Sequence, residues 1–415
     1  MLSTTSSFTH RLPLAMIGNT IDQRSGYVTP MEYIDDQESL EDFARKAMDS
    51  RYVAIDTEFL REKTYYPNLC LLQLCTEAGT YIVDPFAVDD LGVLAPLLEC
   101  PDVLKLFHAG TQDIEILYRE VGAMPWPIFD VQVAAALLGH SYQAGLASLL
   151  SSFLGVSIKK SDSFTDWTRR PLAPSQLTYA AEDVIYLPQL HETMVERLEQ
   201  LGRLGWLDDE FADMADPANY EADPYSRYKR LKRGNQLNRK QMAAAREVAA
   251  WRELEAQKRD IPRKWVLSDE QIVEACKREA SSIDDLFMVR GIKQGMSTRD
   301  AREVATLMRK AFASDESTWP KPEAPVQCEP NVDFSLDLMQ ALMRARSKET
   351  GIAMQTLGSH GDMALLARGH VDECPLMKGW RREIVGNDLV RLLDGEVLLG
   401  LNDNELVVVE PMDAR

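Results

Sequence analysis

The sequence predicts an α/β domain built on a mixed sheet over residues 29–206, followed by helical units that run to residue 400. Three observations predict it. Short β-branched and apolar runs come first, amphipathic helices follow them with one returning strand, and strand patterning stops beyond residue 238. With 415 residues the chain has room for roughly two to four domains. Its 45% hydrophobic content lets each of them bury a core, which excludes wholesale disorder.

Residues 1–28 are Ser/Thr-rich, lack periodicity and read as a loose leader. Tyr33 to Ser50 reads as a short strand and then a helix, because Leu40, Phe43, Ala44 and Ala47 recur at helical spacing. Strands follow at Tyr52–Phe59, Leu69–Thr76 and Thr80–Pro85, the last two joined by a turn at Glu77-Ala78-Gly79. Val103–Ala109 is the returning strand and Thr111–Val121 a helix. Further helices are expected at Val131–Leu138, Gly145–Leu154, Ser175–Tyr186 and Leu187–Leu201.

The composition changes after Trp206. The chain as a whole carries a net charge of −19, yet Tyr225–Lys264 holds 13 Lys/Arg against 4 Asp/Glu, a local excess of +9. A helical domain is expected over 226–310, a Pro-rich linker over 314–331 and a second helical domain over 332–400. The two helical units share length and helix order, which points to an internal duplication. A local basic face of this kind fits contact with a nucleic-acid backbone, with an ordinary solvated surface as the plainer alternative.

Other classes drop out. No apolar run reaches membrane-spanning length, and the N-terminus has no signal-peptide pattern, so a soluble cytoplasmic protein is expected. The cysteines (70, 75, 100, 276, 328 and 374) form no C-x-x-C pair, which argues against zinc and fits a reducing compartment. No G-x-x-x-x-G-K-[ST] loop occurs, so no ATP is expected.

Asp56 and Glu58 lie two apart on a strand and point to one face. Asp113 sits where a helix follows the returning strand, and Tyr179 and Asp183 share a helix face at i, i+4. If these elements pack together, four carboxylates converge. Such a cluster repels itself unless hard divalent cations, Mg2+ or Mn2+, neutralise it. Two such ions can activate a water and stabilise the leaving oxygen of a phosphodiester, with Tyr179 orienting or deprotonating the water.

The stretches YVAIDTEFLREKTYYPNLCLLQLC (52–75), FHAGTQDIEIL (107–117), FDVQVAAALLG (129–139) and SFTDWTRRPLAPSQLTYAAEDVIYL (163–187) resemble the ribonuclease D family, the tyrosine branch of the DEDD 3′→5′ exonucleases. The resemblance implies a ribonuclease H-like mixed-sheet domain followed by two HRDC-type domains. Trp251–Glu274 carries the HRDC likeness, with Ile261-Pro262 ending a long helix and Ser268 with Gln271 capping the next. Carried over by position, Asp56, Glu58, Asp113 and Asp183 become ligands of two divalent metal ions, and Tyr179 orients the water. Asp56 bridges both ions, Glu58 and Asp183 hold the catalytic one, and Asp113 assists the other. The implied substrate is RNA (tRNA precursors and small structured RNAs), shortened from the 3′ end to nucleoside 5′-monophosphates by a monomeric enzyme. A DNA 3′ exonuclease and a catalytically silent RNA-binding scaffold are the rivals.

Neighbouring residues have two readings each. Phe59 and Leu60 either wedge against the terminal base or fill core, and Trp167 either supports the 3′ nucleotide or packs inside. Arg169 and Arg170 meet phosphates or sit in solvent. Gln112 contacts substrate or serves the helix start, and His108 reads as a packed strand-end residue before a ligand. Asp84 reads as a turn former and Asp130 as a helix cap.

Overall fold

The computed structural model describes residues 30–158, 165–221, 223–321, 330–403 and 405–410. The leader at 1–28 and much of the Pro-rich linker lie outside these residues. Among the described residues, six strands form one mixed sheet: β1 (Met31–Ile34), β2 (Tyr52–Leu60), β3 (Asn68–Thr76), β4 (Gly79–Val83), β5 (Leu104–Phe107) and β6 (Ile128–Asp130). Their order is β1-β4-β3-β2-β5-β6. β3 is antiparallel to both β2 and β4, while β1–β4, β2–β5 and β5–β6 are parallel pairs. The three-residue β6 escapes sequence reading because all of it is buried and it is too short to show alternation.

Between the strands lie α1 (Gln37–Ala47), α2 (Ala95–Glu99) and α3 (Thr111–Glu120). After β6 come α4 (Val131–Leu137), α5 (Leu146–Leu149), α6 (Pro174–Ile185), α7 (Leu187–Gln200) and α8 (Leu207–Met214). Asp36 caps α1, whose buried residues are the Leu40, Phe43, Ala44 and Ala47 that the spacing singles out. The helix expected at 145–154 is α5 followed by a π turn over Leu150–Leu154, closed by Gly155 at φ +69°.

The next helices are α9 (Arg239–Arg259), α10 (Arg263–Val266), α11 (Asp269–Lys277), α12 (Ile283–Phe287), α13 (Ile292–Gly295) and α14 (Thr298–Phe312). Asp260, at φ +46°, ends α9, and the Ser268–Gln271 capping box opens α11. This unit has its own core, with Val248, Trp251, Ile272, Val304 and Met308.

The last helices begin with α15 (Asp333–Thr350) and behave differently. Met339, Leu342, Met343 and Leu389 join the same core as the sheet and α7. Trp380 stacks on Trp206 at 5.1 Å, and Arg203 donates to the carbonyls of Leu137 and Thr350. The helical expectation for 332–400 needs one correction: a hairpin, β7 (Leu398–Asn402) with β8 (Glu405–Val409), starts inside it. Gly400 and an exposed outer face hide its strand pattern in the sequence.

Candidate metal centre and active site

β2 carries the first two acids. Alternation puts Asp56 and Glu58 on one sheet face, and a β-bulge follows at once: Glu58 pairs with Leu71 but Phe59 with Leu69, leaving Cys70 extra. The carbonyl of Cys70 accepts from Arg170 Nη2 at 2.8 Å. Helix α6 packs over β2, β3 and β4 on that same face and brings Asp183 down onto the pair. Carboxylate oxygens of Asp56, Glu58 and Asp183 lie within 4.8 Å of one another.

Asp113 is buried on the first turn of α3, outside that group of three, and accepts a short hydrogen bond from Thr57 Oγ1. Its charge still reaches Asp56, Glu58 and Asp183. The turn before α3 is held by Asp130, whose carboxylate accepts from Gly110 N at 2.7 Å and Ala109 N at 3.2 Å. It also accepts from Gln132 N and Val133 N, so one side chain caps α4 and sets the start of α3. Gly110 is required there, since a Cβ would fall 2.6 Å from Phe107.

Burial is the main force on the charges. It raises the Asp56 carboxyl well above the usual range, and Asp113, Asp183 and Glu58 push it further. Burial and the same neighbours bring Glu58 to about 8. Burial and Glu182 bring Asp183 to about 7, against the lowering effect of the Tyr179 hydrogen bond, and burial brings Asp113 to about 6. The phenol of Tyr179 is also pushed up, by burial and then by Asp183, Glu58 and Asp56. An all-oxygen set of mutually repelling carboxyls, Asp113 buried and the other three half-buried, fits a hard divalent cation and offers nothing to a soft one.

The neighbours fall into distinct places. Trp167 is 2% exposed, and its ring lies 6.0 Å from that of Tyr179, so it backs the tyrosine from inside. Arg170 is engaged by Asp84 through Nε at 2.5 Å and Nη2 at 2.8 Å, and it also donates to the carbonyls of Trp167 and Arg169. Asp84 accepts in addition from Tyr33 at 2.7 Å and from Phe86 N, so it is an anchor as well as a turn former. Arg170 thus ties the segment before α6 to the sheet. Arg169 is exposed and pairs with Asp166 at 3.0 Å. Phe59 and Leu60 are half-buried against core, and Gln112 is exposed one residue before Asp113. His108 has a buried Nδ1 without a partner among the described residues, and burial lowers its pKa. Thr57, Asp130, Asp84 and Tyr33 act through contacts distant in sequence, which no local pattern announces.

Comparison with known proteins agrees with this geometry. The 3′-5′ exonuclease family matches residues 31–199, and the HRDC domain family matches residues 241–307. The fold and the acidic site therefore define a 3′-5′ exonuclease carrying an HRDC domain. Ribonuclease D of Granulibacter bethesdensis is 38% identical over 363 residues, 86% of this chain and 91% of that protein. Ribonuclease D of Sphingobium indicum is 35% identical over 378 residues, 90% of this chain and 97% of that protein. The crystal structure of Escherichia coli RNase D, described as an exoribonuclease involved in structured RNA processing, superposes with a TM-score of 0.77 at 28% identity. That match covers 88% of this chain and 99% of that one. The chain belongs to the ribonuclease D family. Among the described residues, no helix is long and apolar enough to cross a membrane.

Proposed function

We propose that this chain is a metal-dependent 3′→5′ exoribonuclease of the cytoplasm. It trims the 3′ ends of structured RNA precursors, tRNA foremost, and releases nucleoside 5′-monophosphates. The observation that carries this is the convergence of Asp56, Glu58 and Asp183 within 4.8 Å, on the helix face that also presents Tyr179. Asp56, Glu58, Asp183 and Asp113 would hold two Mg2+ or Mn2+ ions, which would neutralise the cluster and polarise the scissile phosphate. Tyr179 donates its hydrogen bond to Asp183, so the phenol keeps its proton in that arrangement. That favours orienting the attacking water over deprotonating it. Trp167 and the Arg170–Asp84 anchor keep the tyrosine in place.

The RNA approach is read from charge. A cleft of about 1130 Å³ opens between the exonuclease and HRDC domains, lined by Arg61, Tyr65 and Tyr66 on one side and by Arg230, Lys232 and Lys264 on the other. Arg61 stands three residues beyond Glu58. Eight of the 13 cations in 225–264 are spent on internal ion pairs. Among the described residues, Lys229, Arg230, Lys232, Arg233 and Lys264 have no such partner, and three of them line the cleft. An unpaired cation in a groove is what a phosphate backbone needs.

The helices after 332 are read as a second HRDC-like unit. The support is a repeated order: a long helix, a four-residue helix, then a helix opened by a serine capping box, at α9–α10–α11 and again from α15 to Ser359.

The test is product analysis. Wild-type protein with Mg2+ should shorten a 5′-labelled RNA one nucleotide at a time and release 5′-monophosphates. Asp183→Asn should abolish release while RNA binding in Ca2+ persists. Full activity of Asp183→Asn would refute the site.

A further inference from the structure

We propose that Gln73 is a positioning residue for Asp56, donating its side-chain amide to that carboxylate when the acidic cluster binds a divalent cation. The inference rests on the metal-dependent reading above. Gln73 and Asp56 are register partners across the antiparallel β2–β3 pair. Directly opposed residues in such a pair project to the same face, with Cβ atoms about 4.5–5.5 Å apart. That face is the one α6 covers, so the amide lies between the sheet and the helix that carries Tyr179 and Asp183.

The amide is wholly buried at 0% exposure, and both Nε2 and Oε1 lack a hydrogen-bond partner among the described residues. The result does not depend on which way the amide is turned, because neither end is satisfied. On its other flank the register partner is Ile82, which offers no side-chain hydrogen bond. Leu71, two residues before it on the same face, packs with Ile82, Leu177 and Ala180 in an apolar cluster. Packing alone would be served better by leucine or methionine, since an unpaired buried amide carries a desolvation penalty. The nearest reason in the register for an amide is Asp56. A carboxylate that binds a cation through one side is oriented through the other by a hydrogen-bond donor, and removing such a donor typically weakens metal affinity 10–100-fold.

The experiment compares wild type, Gln73→Leu and Gln73→Met. Both substitutions keep the volume and delete the amide. Mn2+ binding is titrated by the electron paramagnetic resonance signal of the free ion, and melting is followed in EDTA. The expected result is Mn2+ affinity lowered about 10–100-fold in both variants, with a melting temperature in EDTA equal to or above wild type. A merely structural glutamine would give the opposite pair: unchanged Mn2+ affinity and altered melting. Equal Mn2+ binding in all three proteins overturns the role of Gln73 and leaves the metal centre standing. No Mn2+ uptake by wild type removes the metal centre and this inference with it. If the branched side chain of Gln73→Leu prevents folding, Gln73→Met carries the comparison.

Discussion

The hydroxyl of Tyr65, in the exonuclease domain, donates to the carboxylate of Glu253, which is completely buried in α9 of the HRDC domain. Arg227 and Arg263 complete the surroundings of that carboxylate at 2.9 Å and 3.3 Å. The backbone amides of Tyr65 and Tyr66 reach Asp260 Oδ1, each at 3.1 Å. The loop after β2, which leaves the acidic cluster, is thus bolted to α9, where Tyr65, Arg252 and Gln257 together line the basic cleft. Tyr65→Phe removes one donor from a buried charge and should lower stability by about 1.5–3 kcal/mol. Chemical denaturation measures it. Affinity for a structured RNA should fall more than cleavage of a short single strand, because the cleft loses a wall and the cluster does not.

The acidic cluster sets the pH response. Glu58, Asp183 and Asp113 sit at about 8, 7 and 6 in the folded protein, against about 4 in an unfolded chain. Between those limits the folded state binds more protons than the unfolded one, so stability falls as pH rises from about 4 to about 8. The melting temperature in EDTA should therefore be higher at pH 5 than at pH 8. Excess Mg2+ should recover most of the loss at pH 8, where it replaces the departed protons. Differential scanning calorimetry at both values checks this, and a flat EDTA profile would contradict the charges assigned to the cluster.

Tyr179→Phe keeps the ring against Trp167 and deletes the hydroxyl that reaches Asp183. Turnover should drop about 10²-fold, the scale of a misplaced reactant, with RNA affinity nearly unchanged. A wild-type rate would separate Tyr179 from the water. Single-turnover kinetics is the suitable readout, since it isolates chemistry from product release.

Arg230, Lys232 and Lys264 carry charge into the cleft without an ion pair among the described residues. Replacing all three with Ala should flatten the dependence of log affinity on log salt by about 2, at about 0.7 per phosphate on a single strand. The same triple change at Arg239, Arg246 and Arg259, which are paired with Glu316, Glu247 and Asp300, should alter stability more than the salt slope.

Much of this site is legible from spacing. A period of two puts Asp56 and Glu58 on one face, and a period of 3.6 puts Tyr179 above Asp183. The strand-to-helix junction marks Asp113. What spacing cannot reveal is pairing at a distance. The Asp84–Arg170 anchor joins residues 86 apart, and it makes a brace for α6 of an arginine whose sequence context offers a phosphate contact or a solvated surface position. The bulge at Glu58–Phe59 depends on which residue of β3 lies opposite. Gln73 looks like any polar residue in a strand until its partner across the sheet is known. The basic stretch is similar: its +9 excess is visible in the sequence, but only the fold reveals which cations are already paired.

The most direct test is a time course on matched 5′-labelled RNA and DNA with 3′ overhangs, in Mg2+, Mn2+ or EDTA, with Asp56→Asn alongside. The account predicts a metal-dependent ladder that shortens the RNA from its 3′ end, and no ladder with EDTA or with Asp56→Asn. Equal shortening of the DNA would contradict the assignment of RNA as substrate. Intact RNA under every metal, with binding retained, would contradict the account as a whole and leave a scaffold that holds RNA without cutting it.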